Sequence, residues 1–386
     1  MRVFLDNAAT TPLDAEVIAA MTDAMQNLPG NPSSIHKEGR TARTAIEEAR
    51  KTIANILNVS IGEIFFTSGG TESNNTALKC AVRDLGVQRI ISVKTEHHAV
   101  LHTLDCLQKD RGTEVVFLKI DERGRVDLED LERLLKESNA KTLVSIMHSN
   151  NEIGTLNDLA RISEICAAAD ALFHTDTVQT MGYFPIDFDK IKVSFATGSA
   201  HKFYGPKGIG FLYINNDNII KPFIDGGAQE RNMRGGTENI YGIIGMGKAL
   251  QKAVDNMEVR MAYLHDLRNY LIRQLTENFE DVRFNGDYNG SFHPKVLSVS
   301  FPPSAKAEMM LFNLDISGIS ASGGSACSSG IDVGSHVLAA IKEDAGRATI
   351  RFSFSHHNTK EELDYLVEKL RKCTPVKTVE TVFSKS

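Results

Sequence analysis

Four groups of polar residues have types and spacings that could do chemistry. The first is Phe66-Thr67-Ser68-Gly69-Gly70-Thr71-Glu72-Ser73, where an apolar run ends in small residues and a helical pattern begins. Thr71 or Ser73 stands near the helix cap. Gly69 and Gly70 let the main chain approach an anion, and unpaired N–H groups at a helix start point at it. By itself such a turn is more often structural. The second group, His174-Thr175-Asp176-Thr177-Val178-Gln179, closes the apolar run Ala171–Thr175. A carboxylate buried there needs a cationic partner, such as a pyridinium nitrogen; the commonplace alternative is a helix cap.

The third group is Ser199-Ala200-His201-Lys202-Phe203-Tyr204, just past the run Lys192–Thr197. Most lysines are solvated surface groups. A lysine held at a strand end can instead form a Schiff base or, with a lowered pKa, act as a base. Anion turn, strand-end Asp and strand-end Lys, in that chain order, meet the needs of pyridoxal phosphate: a phosphate cradle, a partner for the ring nitrogen and an amine. The three together are far more specific than any one. The fourth group is Ser322-Gly323-Gly324-Ser325-Ala326-Cys327-Ser328-Ser329-Gly330. A cysteine among glycines and serines reads as the tip of a mobile loop. Such a thiol is an accident of composition or a nucleophile that must travel, and the neighbouring chemistry favours the nucleophile. Cys80, Cys106 and Cys166 fall on helical patterns, and Cys373 lies near an end expected to fray.

These groups must be carried by a scaffold. Between about residues 60 and 215, apolar runs alternate with amphipathic segments: Glu63–Thr67, Arg89–Lys94, Glu114–Lys119, Thr142–His148, Ala171–Thr175, Lys192–Thr197 and Gly208–Ile214. That is the pattern of an α/β unit with a seven-stranded, mostly parallel sheet flanked by helices. The connection before the last run is too short for a crossover helix, so that strand is expected antiparallel to its neighbour. Ligands of such sheets bind at the carboxyl ends of the parallel strands. A long helical pattern over Ala249–Glu280 and strand-like runs at Lys295–Phe301 and Ala348–Phe354 point to a second, smaller α+β domain. The expected division is 15–256 for the large domain, with 1–14 and 257–386 in the small one.

The length of 386 residues suits two domains. A formal net charge of −6 argues against nucleic acid or an anionic membrane as the main partner. No apolar run is long enough to span a bilayer, and the first residues lack a signal-peptide core. Five unpaired-looking cysteines fit reduced thiols in the cytoplasm, and no His/Cys spacing suggests a metal site.

The chain also carries Leu5-Asp6-Asn7-Ala8-Ala9-Thr10-Thr11-Pro12, Gly30-Asn31-Pro32-Ser33-Ser34-Ile35-His36, Thr95-Glu96-His97 and Asn150-Asn151-Glu152-Ile153-Gly154. Further on come Arg234-Gly235-Gly236-Thr237-Glu238-Asn239, Gly324-Ser325-Ala326-Cys327 and Ile350-Arg351-Phe352-Ser353. In this order the motifs resemble the cysteine desulfurases of the NifS/IscS type, of pyridoxal-phosphate fold type I. The resemblance covers nearly the whole chain. It implies that Lys202 carries the cofactor, Asp176 pairs with the ring nitrogen and Gln179 bonds the phenolic oxygen. His97 would stack on the ring and could assist proton transfer. His98 is its rival, turned the opposite way if both lie on a strand. Gly70, Thr71, Ser199 and His201 would hold the phosphate, and Thr237 would reach the phosphate of a neighbouring subunit in a homodimer. Arg351, helped by Asn151, would clamp the carboxylate of L-cysteine, and Cys327 would receive its sulfur for delivery to an acceptor protein such as an iron–sulfur scaffold. Arg351 could equally be a strand-surface ion pair. Gly70 stands where many relatives have Ala, and Gly236–Asn239 looks closer to the NifS and selenocysteine-lyase branch. The alternatives are therefore a selenocysteine lyase and, outside catalysis, a sulfur-carrier or scaffold protein.

Overall fold

A computed structural model describes residues 1–303, 309–323, 334–344 and 346–377. Its centre is a seven-stranded sheet. From edge to edge the strands are Ile64–Thr67, Gly210–Ile214, Phe195–Ser199, Leu172–Asp176, Thr142–Ser145, Arg89–Ser92 and Glu114–Phe117. The last five run parallel to one another, and Gly210–Ile214 is antiparallel to both its neighbours. All seven expected strands are present, with ends shifted by a few residues. The inner strands Arg89–Ser92, Thr142–Ser145 and Phe195–Ser199 are buried throughout, because helices cover both faces. Gly70–Asp84 and His98–Arg111 lie on one side with their own apolar cluster; Lys37–Leu57 and Ile240–Asp255 belong to the larger core on the other.

A second sheet holds Ala348–Ser353, Val296–Phe301 and Arg283–Asn285 in that order, all antiparallel. The helices Met257–Asn278 and Lys360–Leu370 pack together beside it. The single long helix expected over Ala249–Glu280 is in fact two, Ile240–Asp255 and Met257–Asn278, interrupted at Asn256 (φ −108°, ψ 12°). Its apolar periodicity runs on through the break, so the pattern alone did not mark it. Cys373, expected near a frayed end, is buried; Phe279 and Val376 form a β-bridge that holds the segment down. No described helix is long and apolar enough to cross a membrane.

Candidate active site

At the carboxyl ends of the parallel strands a cavity of about 380 Å³ opens, lined by Gly70, Thr71, His97, Asn151, Asp176, Gln179, Ser199, His201, Lys202 and Arg351, together with Ala8, Ala9, Asn74 and His336. Ten of the twelve residues that the sequence singled out for the site line this cavity. Each arrives there for a local reason. Leu172–Asp176 ends at Asp176, whose Oδ1 accepts from Val178 N–H (2.9 Å) and Oδ2 from Asn74 Nδ2 (2.6 Å). Both donors are neutral, so they orient the carboxylate without cancelling its charge. Gln179 donates from Nε2 to Ala8 O (3.0 Å), while its Oε1 is buried with no hydrogen-bond partner among the described residues.

Phe195–Ser199 runs into a 3₁₀ turn, Ala200–Lys202, and this turn presents Lys202 to the cavity. Lys202 Nζ donates to Ala8 O and Ala9 O, each at 2.7 Å. The segment Asn7–Thr11 is stitched on both sides. Thr11 Oγ1 accepts from Tyr204 N–H (2.7 Å) and Ala8 N–H donates to Ser353 Oγ (2.8 Å). This explains why the opening motif belongs to the site: it bridges the Lys202 turn and the Arg351 strand.

The anion turn is made by Ile64–Thr67 passing into the helix Gly70–Asp84. The helix starts at Gly70 with Gly69 as its cap, two residues before the Thr71 and four before the Ser73 expected from hydroxyl capping. Gly69 has φ +150°, a conformation that side chains rarely adopt, so glycine is needed there. Gly70 and Thr71, the first residues of this helix, line the cavity beside Ser199 and His201, and N–H groups at a helix start have no partner within the helix. His201 is pushed down to about 3 by burial, with Lys202, Lys295 and Lys207 adding to the effect, so its imidazole is neutral.

His97 and His98 do not end a strand. The strand stops at Ser92; His97 is the cap of the helix His98–Arg111, and its Nδ1 accepts from Ala99 N–H (3.0 Å). Strand alternation therefore does not separate the two rings, and both line the cavity. Burial lowers the pKa of His97, with Asp176 opposing and Lys202 adding to the shift. His98 packs at 4.5 Å from His336.

Arg351 is buried on Ala348–Ser353. It donates from Nη2 to Asp6 Oδ1 (2.8 Å) and from Nη1 to Asn151 O (2.9 Å), and its Nε is buried without a partner among the described residues. The ion pair read as an alternative for Arg351 exists, with Asp6, but its guanidinium is buried at the cavity rather than on the strand surface. Thr237 is the exception among the expected site residues: it lines a separate recess of about 80 Å³ with Thr67, Ser68 and Arg234. Cys327 lies outside the described residues. The chain on either side of it is placed, however. Ser322 pairs with Arg351 main chain to main chain (N–H to O 2.7 Å and 3.3 Å), and beyond the gap His336 lines the cavity with Nε2 bonded to Glu96 O (2.9 Å).

Sequence reasoning missed Asp6, Asn74, His174 and His336 as members of the site. Asn74 could have been found one helical turn after Gly70, and His174 two residues before Asp176 on the same strand face. Among the described residues no cluster of His, Cys, Asp or Glu could hold a metal ion.

Residues 3–366 match the family described as Aminotransferase class-V. Cysteine desulfurase IscS of Dictyoglomus turgidum is 45% identical over 97% of each chain. Among solved structures, a NifS-like protein superposes with a TM-score of 0.89 at 37% identity, covering 96% of this chain and 99% of that one. SspA in complex with cysteine gives a TM-score of 0.80 at 30% identity, covering 93% and 100%.

Proposed function

The chain belongs to the class-V aminotransferase family, and from that premise we propose that it is a pyridoxal-phosphate-dependent cysteine desulfurase, which converts L-cysteine to L-alanine and takes the sulfur onto Cys327. The observation that carries this reading is the tethering of the chain on both sides of Cys327 to one cavity, at Ser322–Arg351 and at His336. The residues present fit the cofactor: a helix start behind Gly69 and Gly70, a buried carboxylate met by neutral donors, a lysine, and a buried Gln179 oxygen without a partner among the described residues. When bound, pyridoxal phosphate supplies an electron sink for the pair left at the substrate's Cα.

The chain's own residues do the rest. Gly70, Thr71, Ser199 and His201 would hold the phosphate, with Asp176 for the ring nitrogen, Gln179 for the phenolic oxygen and His97 for the ring face. Lys202 would hold the cofactor and would serve as the base for the substrate's Cα proton. Arg351 and Asn151 fix the substrate carboxylate, which the guanidinium can grip at two points. The Cys327 thiolate then attacks the substrate sulfur. A sulfur–sulfur bond forms as the sulfur–Cβ bond breaks, and the electron pair returns to carbon, which gains a proton to become the alanine methyl. A thiol with the ordinary pKa of about 8.5 is only slightly ionised at neutral pH, so a base is needed, and we assign that part to His97. Cys80 and Cys166 are poor candidates for this role, since burial pushes their thiols up to about 11 and about 12.

The same reading gives a homodimer in which Thr237 completes the partner's phosphate site; its position outside the Lys202 cavity supports this. It also divides the chain into 15–256 and 1–14 with 257–386, and passes sulfur to an acceptor protein for iron–sulfur or other thio-cofactor assembly. The test uses Cys327→Ser. Given ³⁵S-cysteine, the parent should carry one transferable sulfur per subunit on the Cys327 peptide. The variant should bind cofactor and substrate yet make neither persulfide nor alanine. Alanine at the parent rate from Cys327→Ser refutes the mechanism; label on Cys80, Cys106, Cys166 or Cys373 refutes the assignment of the acceptor thiol.

A further inference from the structure

Behind Asp176 lies a row of buried polar groups that the mechanism above does not use. Asn74 Nδ2 meets Asp176 Oδ2 at 2.6 Å, Asn74 Oδ1 meets His174 Nε2 at 3.1 Å, and His174 Nδ1 meets Ser145 Oγ at 2.8 Å. Asn74 is 1% exposed, and His174 and Ser145 are fully buried. Their placement follows from the fold. Ser145 and His174 are cross-strand neighbours in the parallel register, His174 and Asp176 share a strand face, and Asn74 sits one turn into the helix that begins at Gly70.

The direction of every bond is set from one end. An ionised carboxylate only accepts, so Asn74 must turn its amide N–H₂ toward Asp176 and its oxygen toward His174. That oxygen requires a hydrogen on His174 Nε2. The bare Nδ1 of a neutral ring then accepts from the Ser145 hydroxyl. Reversing any member sets two acceptors or two donors face to face inside the protein, at the cost of an unsatisfied buried group. Burial pushes His174 down to about 4 against the pull of Asp176, so the ring stays uncharged at neutral pH and leaves the carboxylate's charge unspent.

We propose that Asn74, His174 and Ser145 are positioning residues: a hydrogen-bond chain of fixed direction that aims the ionised Asp176 at the ring nitrogen of the cofactor. The proposal rests on the cofactor reading above. Because Asn74 belongs to the helix whose start holds the phosphate, the chain also ties the spacing of phosphate cradle and ring partner to a single rigid element.

The test compares two ligands on the apoprotein, full-length and with Cys327 intact: pyridoxal phosphate and its 1-deaza analogue, in which carbon replaces the ring nitrogen. Binding is read from the ligand's absorption, and folding from circular dichroism and thermal melting. Asn74→Ala should weaken pyridoxal phosphate by about tenfold, the scale of one charge-assisted hydrogen bond, and leave the analogue within about twofold of the parent. His174→Phe should show the same ratio more weakly, and His174→Gln, which keeps a donor toward Asn74, should restore it. Equal losses for both ligands would reduce these residues to packing and overturn the proposal, as would no loss for either. A parent that binds neither ligand overturns the cofactor reading instead. If Asn74→Ala does not fold, the His174 pair decides the question by the same comparison.

Discussion

In its proposed role Arg351 would meet the substrate already engaged. Its guanidinium is shared with Asp6 Oδ1 at 2.8 Å and Asn151 O at 2.9 Å, so an incoming carboxylate must join a group whose charge is partly answered. The planar fork still has donors to spare, Nε among them, and two-point grip is what a lysine in its place would lose. Arg351→Lys should therefore raise KM for L-cysteine about tenfold or more while changing kcat less. Asp6→Asn keeps an oxygen that can orient Arg351 but removes the competing charge, and KM should fall by roughly severalfold. Steady-state kinetics at saturating cofactor read both. An unchanged KM in Arg351→Lys would mean that the substrate carboxylate is held elsewhere. None of this pairing could be seen in the sequence, where Asp6 and Arg351 stand far apart. The two motifs carrying them were visible; the contact between them is a product of the fold.

At the level of elements, the strand Gly210–Ile214 shows how the sheet and the anion turn constrain each other. Gly210 stands opposite both Thr67 and Ser199, at the point where two neighbouring strands leave the sheet to build the proposed phosphate cradle. A Cβ there would lie 2.5 Å from Gly198 O and 2.8 Å from Gly69 Cα, main-chain atoms that cannot rotate aside. Gly210→Ala should thus open the turn itself, lowering cofactor affinity and thermal stability together. Titration of the apoprotein and a melt check this, and a variant with parental values for both would show that the cradle is more tolerant than its spacing suggests. The same level explains what could be read in advance. Strands covered on both faces keep continuous apolar runs, so the inner ones were legible, as was the reversed direction of the last from its short connection. The break at Asn256 and the end of the strand at Ser92 were not, because apolar residues continue past both and only the main-chain hydrogen bonds mark the change. Hence His97 and His98 read as strand residues although they open a helix. Lys202, Asp176 and the glycine turn stood out because each follows a strand directly. Asn74 and His174 lay inside the same motifs but gained their meaning from partners about a hundred residues away.

The whole molecule's response to acid follows from how many imidazoles it keeps neutral inside. His148 and His174 are both pushed down to about 4 by burial, against a pull from Asp158 and Asp176 respectively. In the unfolded chain each would titrate near 6.5. Between about pH 6.5 and pH 4 the unfolded state therefore binds protons that the folded state refuses, and stability must fall as pH falls across that window. The contribution is whole above 6.5 and lost on approaching 4. Glu96 works in the other direction: burial, with Asp176 adding to it, holds its carboxyl well above the usual range, so its penalty on folding shrinks as acid is added. The net slope mixes these terms, and a single substitution separates them. His148 lies away from the cavity, with Nδ1 bonded to Thr180 Oγ1 at 2.9 Å and its ring against Phe184. His148→Gln keeps a hydrogen-bonding group of similar reach but cannot take up a proton. Urea unfolding of parent and variant, followed from pH 7 to pH 4.5, should show the parent losing stability more steeply, by up to about 1.4 kcal/mol per pH unit. Above pH 7 the two curves should run parallel, offset only by the cost of the replacement. Parallel curves below pH 6.5 as well would mean that His148 is protonated in the folded protein, and that the burial around it is looser than its packing against Phe184 and Thr180 indicates.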